Sequence, residues 1–165
     1  YEILRCLVGS EMCIRDSVES AEEMYRAAME FYPDCDAGIL CAAVADFTPE
    51  IVASHKIKRE KDDLTIKLKP THDIAAALGQ AKHPQQRLIG FALETNDELA
   101  HAQEKRKRKN FDFIVLNSLN DKGAGFRCDT NKITIVDETG CTPYPLKDKK
   151  EVAKDIIDKL AAIMA

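Results

Sequence analysis

None of the six cysteines (Cys6, Cys13, Cys35, Cys41, Cys128 and Cys141) forms a CxxC pair. None of the four histidines (His55, His72, His83 and His101) has a partner at metal-ligand spacing on one helix face. These absences argue against a disulfide framework and a zinc site, and no metal-ligating set is expected. Net positive charge is missing too: 24 Lys and Arg face 28 Asp and Glu, a net charge of −4. Overall electrostatics therefore do not call for nucleic acid. No apolar run reaches membrane-spanning length. No Walker loop, GxGxxG or nucleophile elbow occurs. Arg5, Glu11, Arg15 and Asp16 interrupt the first residues, which excludes the apolar core of a secretory leader. Reduced thiols in a cytoplasmic protein are the expectation.

What is present is a chain of 165 residues, 45% apolar and 32% charged, which suits one soluble domain. Ser20-Ala21-Glu22-Glu23 is a capping box, and Ala21, Met24, Ala28 and Phe31 share the face of the helix behind it. Pro33 ends that helix. AGILCAAVADF is short and apolar throughout, which reads as a strand buried on both faces, with Asp46 near its carboxyl end. HKIKRE and LTIKLKP flank Lys61-Asp62-Asp63 and predict a hairpin with one wet face. Asp73 can cap a short helix closed by Gly79.

RLIGFALET and FDFIVLN read as two further buried strands. Between them Thr95-Asn96-Asp97-Glu98 repeats the capping-box signature before a helix running to about Lys109. KITIVDETGCTPYPL predicts a hairpin turning at Glu138-Thr139-Gly140. Asp148 starts a last helix with Val152, Ile156, Leu160 and Ile163 on one face. Gly123-Ala124-Gly125 lies in a polar loop and serves a turn. Helices alternating with short apolar strands predict an α/β, Rossmann-like domain: a mostly parallel sheet flanked by helices, with right-handed crossovers, a β-hairpin flap and a C-terminal hairpin plus helix. Such sheets bind ligands beyond the carboxyl ends of their strands, which singles out Asp46, Glu94, Thr95 and Asn117.

Three features could carry chemistry, and each has a plain structural rival. Ala42, Ala43 and Ala45 would let a flat ring approach the backbone, Asp46 could accept from a ribose hydroxyl, and Lys56 could neutralise phosphate. Equally, the alanines could pack a helix, Asp46 could make a turn and Lys56 could be solvated. The run Lys105-Arg106-Lys107-Arg108-Lys109 suits a helix C-terminus and a solvated face. Lys105 and Lys109 are four apart and could clamp one polyanion. A nucleic-acid role for the run is the third alternative, although no aromatic residue interleaves it. Phe91 could be core, or could stack on a base at the strand's carboxyl end.

In their order, CAAVADF, KIK, a DI-initiated short helix, GFALET and the KNFD segment Lys109-Asn110-Phe111-Asp112 resemble phosphopantothenate–cysteine ligase, the synthetase domain fused in most bacteria behind a flavin-dependent decarboxylase. The resemblance covers residues 18–165. It implies ligation of 4′-phosphopantothenate to cysteine with CTP and Mg²⁺ in coenzyme A synthesis. The carboxylate attacks the α-phosphate, pyrophosphate leaves, and the cysteine amine then displaces CMP from the acyl-cytidylate. FMN would belong only to the decarboxylase domain, and a homodimer is implied. By resemblance, Leu40, Cys41, Ala42 and Asp46 meet the nucleotide, as do His72, Asp73, Ile74 and Ala75. Lys56 stabilises the charge developing at the acyl-cytidylate, and Phe91, Lys105 and Lys109 complete the CTP contacts. Arg106, Lys107 and Arg108 are left as surface.

Thr71 and His72 stand where the family usually has Asn-Pro, so Asp73 matches better than His72. The family's Asn-x-Ser-Ser-Gly-like segment has no match before Ser20. The resemblance therefore implies an incomplete catalytic site, and weak or no turnover by this chain alone. A non-catalytic nucleotide-binding module would lack that segment naturally. Residues 1–17 supply no clean strand, and Glu11-Met12-Cys13-Ile14-Arg15-Asp16-Ser17 can be back-translated to a sequencing-adapter end. Residues 1–17 are expected to be a non-native leader, and 18–165 an incomplete ligase domain. The alternative is a divergent first strand with Ile3, Leu4, Leu7 and Val8 partly buried.

Overall fold

The computed structural model describes residues 2–6, 13–58, 63–94, 96–118 and 128–165. Gly123-Ala124-Gly125, Thr95, Lys61-Asp62, Leu7 and Val8 lie outside them. The chain divides into two compact units. The smaller comprises 1–28 and 42–74, and the larger 29–41 and 75–165.

In the smaller unit, β1 (Glu2–Cys6) and β2 (Cys13–Ser17) form an antiparallel sheet of their own. Helix α1 (Ala21–Phe31) begins here and is capped as its sequence dictates. Ser20 Oγ accepts from the Glu23 amide at 3.2 Å, and Glu23 Oε2 accepts from the amides of Ser20 at 3.0 Å and Glu19 at 2.8 Å. Two orphan donors are thereby satisfied by one carboxylate. A 3₁₀ turn over Tyr32–Asp34, with Pro33 in it, follows α1.

The larger unit holds the main sheet. Among the described residues strand β3 (Ala37–Leu40) lies at its edge, pairing with β6 (Arg87–Glu94) alone and parallel to it. This corrects the expectation of a strand buried on both faces across Ala37–Phe47. The regular strand has four residues, Ile39 is 40% exposed, and Cys41, Ala42, Ala43 and Ala45 are exposed. Apolar continuity marks a strand that can be buried, but pairing partners on both sides decide whether it is.

The predicted hairpin also moves. The antiparallel pair is β4 (Phe47–Pro49) with β5 (Leu68–Pro70), joined further by the Glu50 amide donating to the Lys67 carbonyl at 2.9 Å. Residues 55–58 and 63–67 hold no strand. The alternation in LTIKLK is real, but its apolar members Leu64 and Ile66 are exposed, so no buried face fixes a strand register there.

Helix α2 (Ile74–Ala81) runs through Gly79 rather than closing at it. The glycine is there for space. A Cβ at Gly79 would lie 2.1 Å from the Lys109 carbonyl oxygen, and the Asn110 amide donates to the Gly79 carbonyl at 2.7 Å. Strand β6 then pairs in parallel with β7 (Phe113–Ser118), while α3 (Glu98–Arg108) lies between them in sequence. The second capping-box signature involves Thr95, outside the described residues; Asp97, at φ +44°, caps no α3 amide with its side chain.

After β8 (Thr130–Asn131), β9 (Ile133–Val136) and β10 (Cys141–Pro143) make the expected hairpin and extend the sheet antiparallel. The order is β10-β9-β7-β6-β3. A short β11 (Lys147–Asp148) pairs with β8, and α4 (Lys149–Met164) follows, its Lys150 amide capped by Asp148 Oδ1 at 2.8 Å. The fold is α/β and Rossmann-like, with three parallel strands and an antiparallel hairpin in one sheet.

The core follows from the sequence periods. Val152, Ile156 and Leu160 lay the α4 stripe on Ile89, Phe113, Val115, Ile133 and Ile135 from three strands. Leu88, Ile114 and Val136 are also fully buried, so the central strands need apolar residues at successive positions. Gln86 is a buried polar residue, and its amide is used at both ends. Nε2 donates to the Tyr32 and Cys35 carbonyls at 2.8 Å each, and Oε1 accepts from the His83 amide at 2.9 Å.

Two predictions follow from the packing. Helix propensity alone would make Gly79→Ala stabilising by about 1 kcal/mol. The backbone oxygen in its way should instead make it cost about 3 kcal/mol, read as a lower urea midpoint at unchanged slope. A midpoint that rises would overturn this reading of Gly79. The second concerns Asp137 at the β9–β10 turn. Burial opposes its ionisation. Lys159 Nζ at 2.7 Å, with the Thr139 hydroxyl and amide, outweighs burial and holds the carboxyl down at about 2. Its stabilisation is present above the ordinary carboxylate range and is lost as pH falls through about 2. Asp137→Asn should cost on the order of 2 kcal/mol at neutral pH, with the gap to wild type closing near pH 2. An undiminished gap in acid urea titrations would contradict this.

Candidate functional site

Each unit carries part of the expected nucleotide set. Leu40, Cys41, Ala75, Phe91, Lys105 and Lys109 lie in the larger unit, and Ala42, Asp46, Lys56, His72, Asp73 and Ile74 in the smaller.

In the larger unit the parallel register sets Leu40 opposite Gly90, one residue before Phe91. Lys105, on α3, donates from Nζ to the Phe91 carbonyl at 3.1 Å. One ammonium is thus held at the middle of the β6 backbone, beside a cleft that reaches Glu94 at the strand's carboxyl end, where open parallel sheets take ligands. Around it a shallow cleft of about 290 Å³ is lined by Glu94, His101, Glu104, Lys105 and Arg108. His101 Nδ1 stands 3.7 Å from Glu94 Oε2. Lys109 caps α3, its amide donating to the Lys105 carbonyl at 3.0 Å, with non-helical ψ of 8°. Cys41 is exposed as a residue, but burial of its sulfur pushes the thiol up, so it stays protonated at neutral pH. Its side chain is therefore a poor nucleophile, and its backbone is the part suited to recognition.

In the smaller unit, Thr71 ties the end of β5 to the start of β4. Its amide donates to the Asp46 carbonyl at 2.9 Å and its hydroxyl to the Ala45 carbonyl at 2.7 Å. Asp46 and the His72-Asp73 turn are held together in this way, with both carboxylate residues exposed. The His72 ring is already engaged by α1: Nδ1 lies 2.8 Å from Glu22 Oε2, and the ring stacks on Tyr25 at 4.4 Å. The His72 hydrogen bond, with help from Arg26, holds the Glu22 carboxyl below its usual range. Ile74 is buried. Lys56 lies in the exposed segment 51–58, outside any strand, with no ion-pair partner among the described residues.

His101, Glu104 and Arg108 were not singled out from sequence. Their signal was available: with Lys105 they recur at three- and four-residue intervals, one face of α3. Arg106, expected to be mere surface, is half-buried. Its Nε donates to Gln103 Oε1 at 3.1 Å and its Nη1 to the Phe111 carbonyl at 3.4 Å. Lys107 and Arg108 are exposed as expected. Among the described residues no group of three or more His, Cys, Asp or Glu could hold a metal ion. No helix among them is long and apolar enough to cross a membrane.

Comparison with known proteins gives a consistent family. The family model described as DNA/pantothenate metabolism flavoprotein C-terminal domain matches residues 7–164. The chain is 53% identical over 148 residues to a protein named cysteine/cysteine sulfinic acid decarboxylase from an unknown prokaryotic organism, covering 89% of this chain and 41% of that protein. It is 42% identical over 147 residues to the coenzyme A biosynthesis bifunctional protein CoaBC of Bacillus subtilis, covering 88% of this chain and 36% of that protein. The crystal structure of the C-terminal domain of a coenzyme A biosynthesis bifunctional protein CoaBC superposes with a TM-score of 0.71 at 35% identity, covering 89% of this chain and 64% of that one. The chain thus spans about two fifths of the curated relatives it matches.

Proposed function

The chain belongs to the DNA/pantothenate metabolism flavoprotein C-terminal domain family, and from that premise we propose that it is the nucleotide-handling part of a phosphopantothenate–cysteine ligase in coenzyme A synthesis. The observation that carries this reading is the Lys105 ammonium fixed on the Phe91 carbonyl within β6, in a cleft that also holds the strand's last residue, Glu94. A fixed cation in an open cleft is suited to a triphosphate. The likeness to the bifunctional protein CoaBC supports the pathway, and the reaction itself is assigned to a longer protein containing this chain.

In that reaction the 4′-phosphopantothenate carboxylate attacks the α-phosphorus of CTP and pyrophosphate departs. The amine of cysteine then attacks the acyl carbon, forming the amide and releasing CMP. Phe91, Lys105 and Lys109 meet CTP from the larger unit. Leu40, Cys41 and Ala75, also in the larger unit, and Ala42, Asp46, Asp73 and Ile74, in the smaller, are nucleotide contacts by the family resemblance. His72 contributes through its backbone, since its ring is used by Glu22 and Tyr25. Lys56, unpaired among the described residues, neutralises charge as the acyl-cytidylate forms. Mg²⁺ is brought by the triphosphate rather than by a protein cluster. Flavin-dependent decarboxylation, with FMN, is assigned to a separate domain of the longer protein.

A homodimer through this domain is supported by the exposed apolar side chains Phe47, Ile51, Val52, Ile57, Leu64 and Ile66. A cytoplasmic location accords with the pathway.

The test uses calorimetric titration and a single-turnover assay for acyl-cytidylate. CTP should bind the chain more tightly than ATP, and Lys105→Gln should weaken it about tenfold. In the longer protein Lys56→Gln should slow acyl-cytidylate formation by about 100-fold with little change in CTP affinity. Saturable CTP binding without acyl-cytidylate in the longer protein would leave a nucleotide-binding module. No CTP binding by either would end the reading.

A further inference from the structure

A second cleft, of about 500 Å³, lies entirely within the larger unit, at the opposite end of the parallel strands. Arg87 and Phe113, the first residues of β6 and β7, both line it. Four cations (Lys82, Arg87, Arg106 and Lys159) face three carboxylates (Asp112, Asp137 and Glu138). The two lysines are neutralised. Lys82 Nζ lies 3.0 Å from Asp112 Oδ2, and Lys159 Nζ lies 2.7 Å from Asp137 Oδ2.

The two arginines are not. Both are half-buried, and among the described residues neither has a carboxylate partner. Arg87 donates from Nε to the Ile163 carbonyl at 3.1 Å and from Nη1 to the Pro84 and Gln86 carbonyls at 2.9 and 3.1 Å. Arg106 is likewise fixed through Nε and Nη1, by Gln103 and Phe111. In each guanidinium the Nη2 donors find no partner among the described residues. Neutral carbonyls orient these groups without cancelling their charge. Two oriented, uncompensated guanidiniums in one cleft are the arrangement that recognises a planar or tetrahedral oxyanion. Glu138 has no cation partner among the described residues, and it sits exposed at the rim.

We propose that this cleft is an anion-binding site for a phosphoryl group, separate from the nucleotide site and held by Arg87 and Arg106. It takes the phosphoryl group as a bound ligand, with no bond made or broken.

The probe is inorganic phosphate, titrated calorimetrically into the 165-residue chain at constant ionic strength, with chloride as the blank. Saturable binding is expected. Arg106→Gln and Arg87→Gln should each weaken it about tenfold, and Glu138→Gln should tighten it about threefold. Lys105→Gln should leave phosphate affinity unchanged while weakening CTP, which separates this site from the nucleotide reading. Circular dichroism melts confirm that each variant is folded, and Glu138→Gln keeps the test open if Arg87→Gln is not. Absence of saturable binding, or binding lost in Lys105→Gln but intact in Arg106→Gln, overturns the proposal.

Discussion

One tight turn organises the larger unit: Asn110-Phe111-Asp112, wedged between α2, α3 and the sheet. Asp112 and Leu88 pair reciprocally. The Asp112 amide donates to the Leu88 carbonyl at 2.9 Å, and the Leu88 amide donates to Asp112 Oδ2 at 2.7 Å. Lys82 pairs with that carboxylate from the other side, at 3.0 Å, and also donates to the Asn110 carbonyl at 2.8 Å. Asn110 accepts a positive φ of 54° and in return bonds the Gly79 carbonyl. The Phe111 ring occupies the space a Cβ at Gly90 would need, 2.5 Å away. Two glycines and a left-handed asparagine thus make room for one turn.

The consequences reach the site. Pairing Asp112 with Leu88 fixes the next pair, Ile89 with Phe113, and so the whole β6–β7 register. The same turn ends α3, since the Phe111 amide donates to the Arg106 carbonyl. The height of α3 along β6 is therefore set by it, and with that height the meeting of Lys105 and the Phe91 carbonyl. A one-residue slip here would send the buried side chains of β7 to the wrong faces.

This explains which parts of the molecule could be read from residues alone. The Ser20 capping box and the α4 stripe are local: donors, acceptors and apolar period lie within a few residues, and the structure follows them. Gly79 was read as a helix stop because a glycine at that spacing often is one. Its reason is a carbonyl thirty residues away, which no local pattern encodes. β3 was read as buried because its residues allow it, while edge position depends on which strands pair. Helical spacing singled out Lys105, whose ammonium meets the Phe91 carbonyl, while the Phe91 side chain packs against the core, the plain rival its sequence offered. The hold of Glu22 on His72 spans fifty residues and was not.

The run Lys105-Arg106-Lys107-Arg108-Lys109 shows how folding divides a motif. Five consecutive cations look like one feature, but each helical residue turns about 100° from the last. Lys105 and Arg108 share the cleft near the carboxyl end of β6. Arg106 faces the other cleft, at the strands' amino ends. Lys107 is exposed, and Lys109 leaves the helix altogether. A strand of nucleic acid needs cations that track its backbone along one groove. Here three of the five cations are divided between two separate clefts, and Lys107 and Lys109 line neither. The same helix therefore couples the ends of the parallel strands: what anchors Arg106 on the Asn110-Phe111-Asp112 turn also sets where Lys105 meets the backbone of β6.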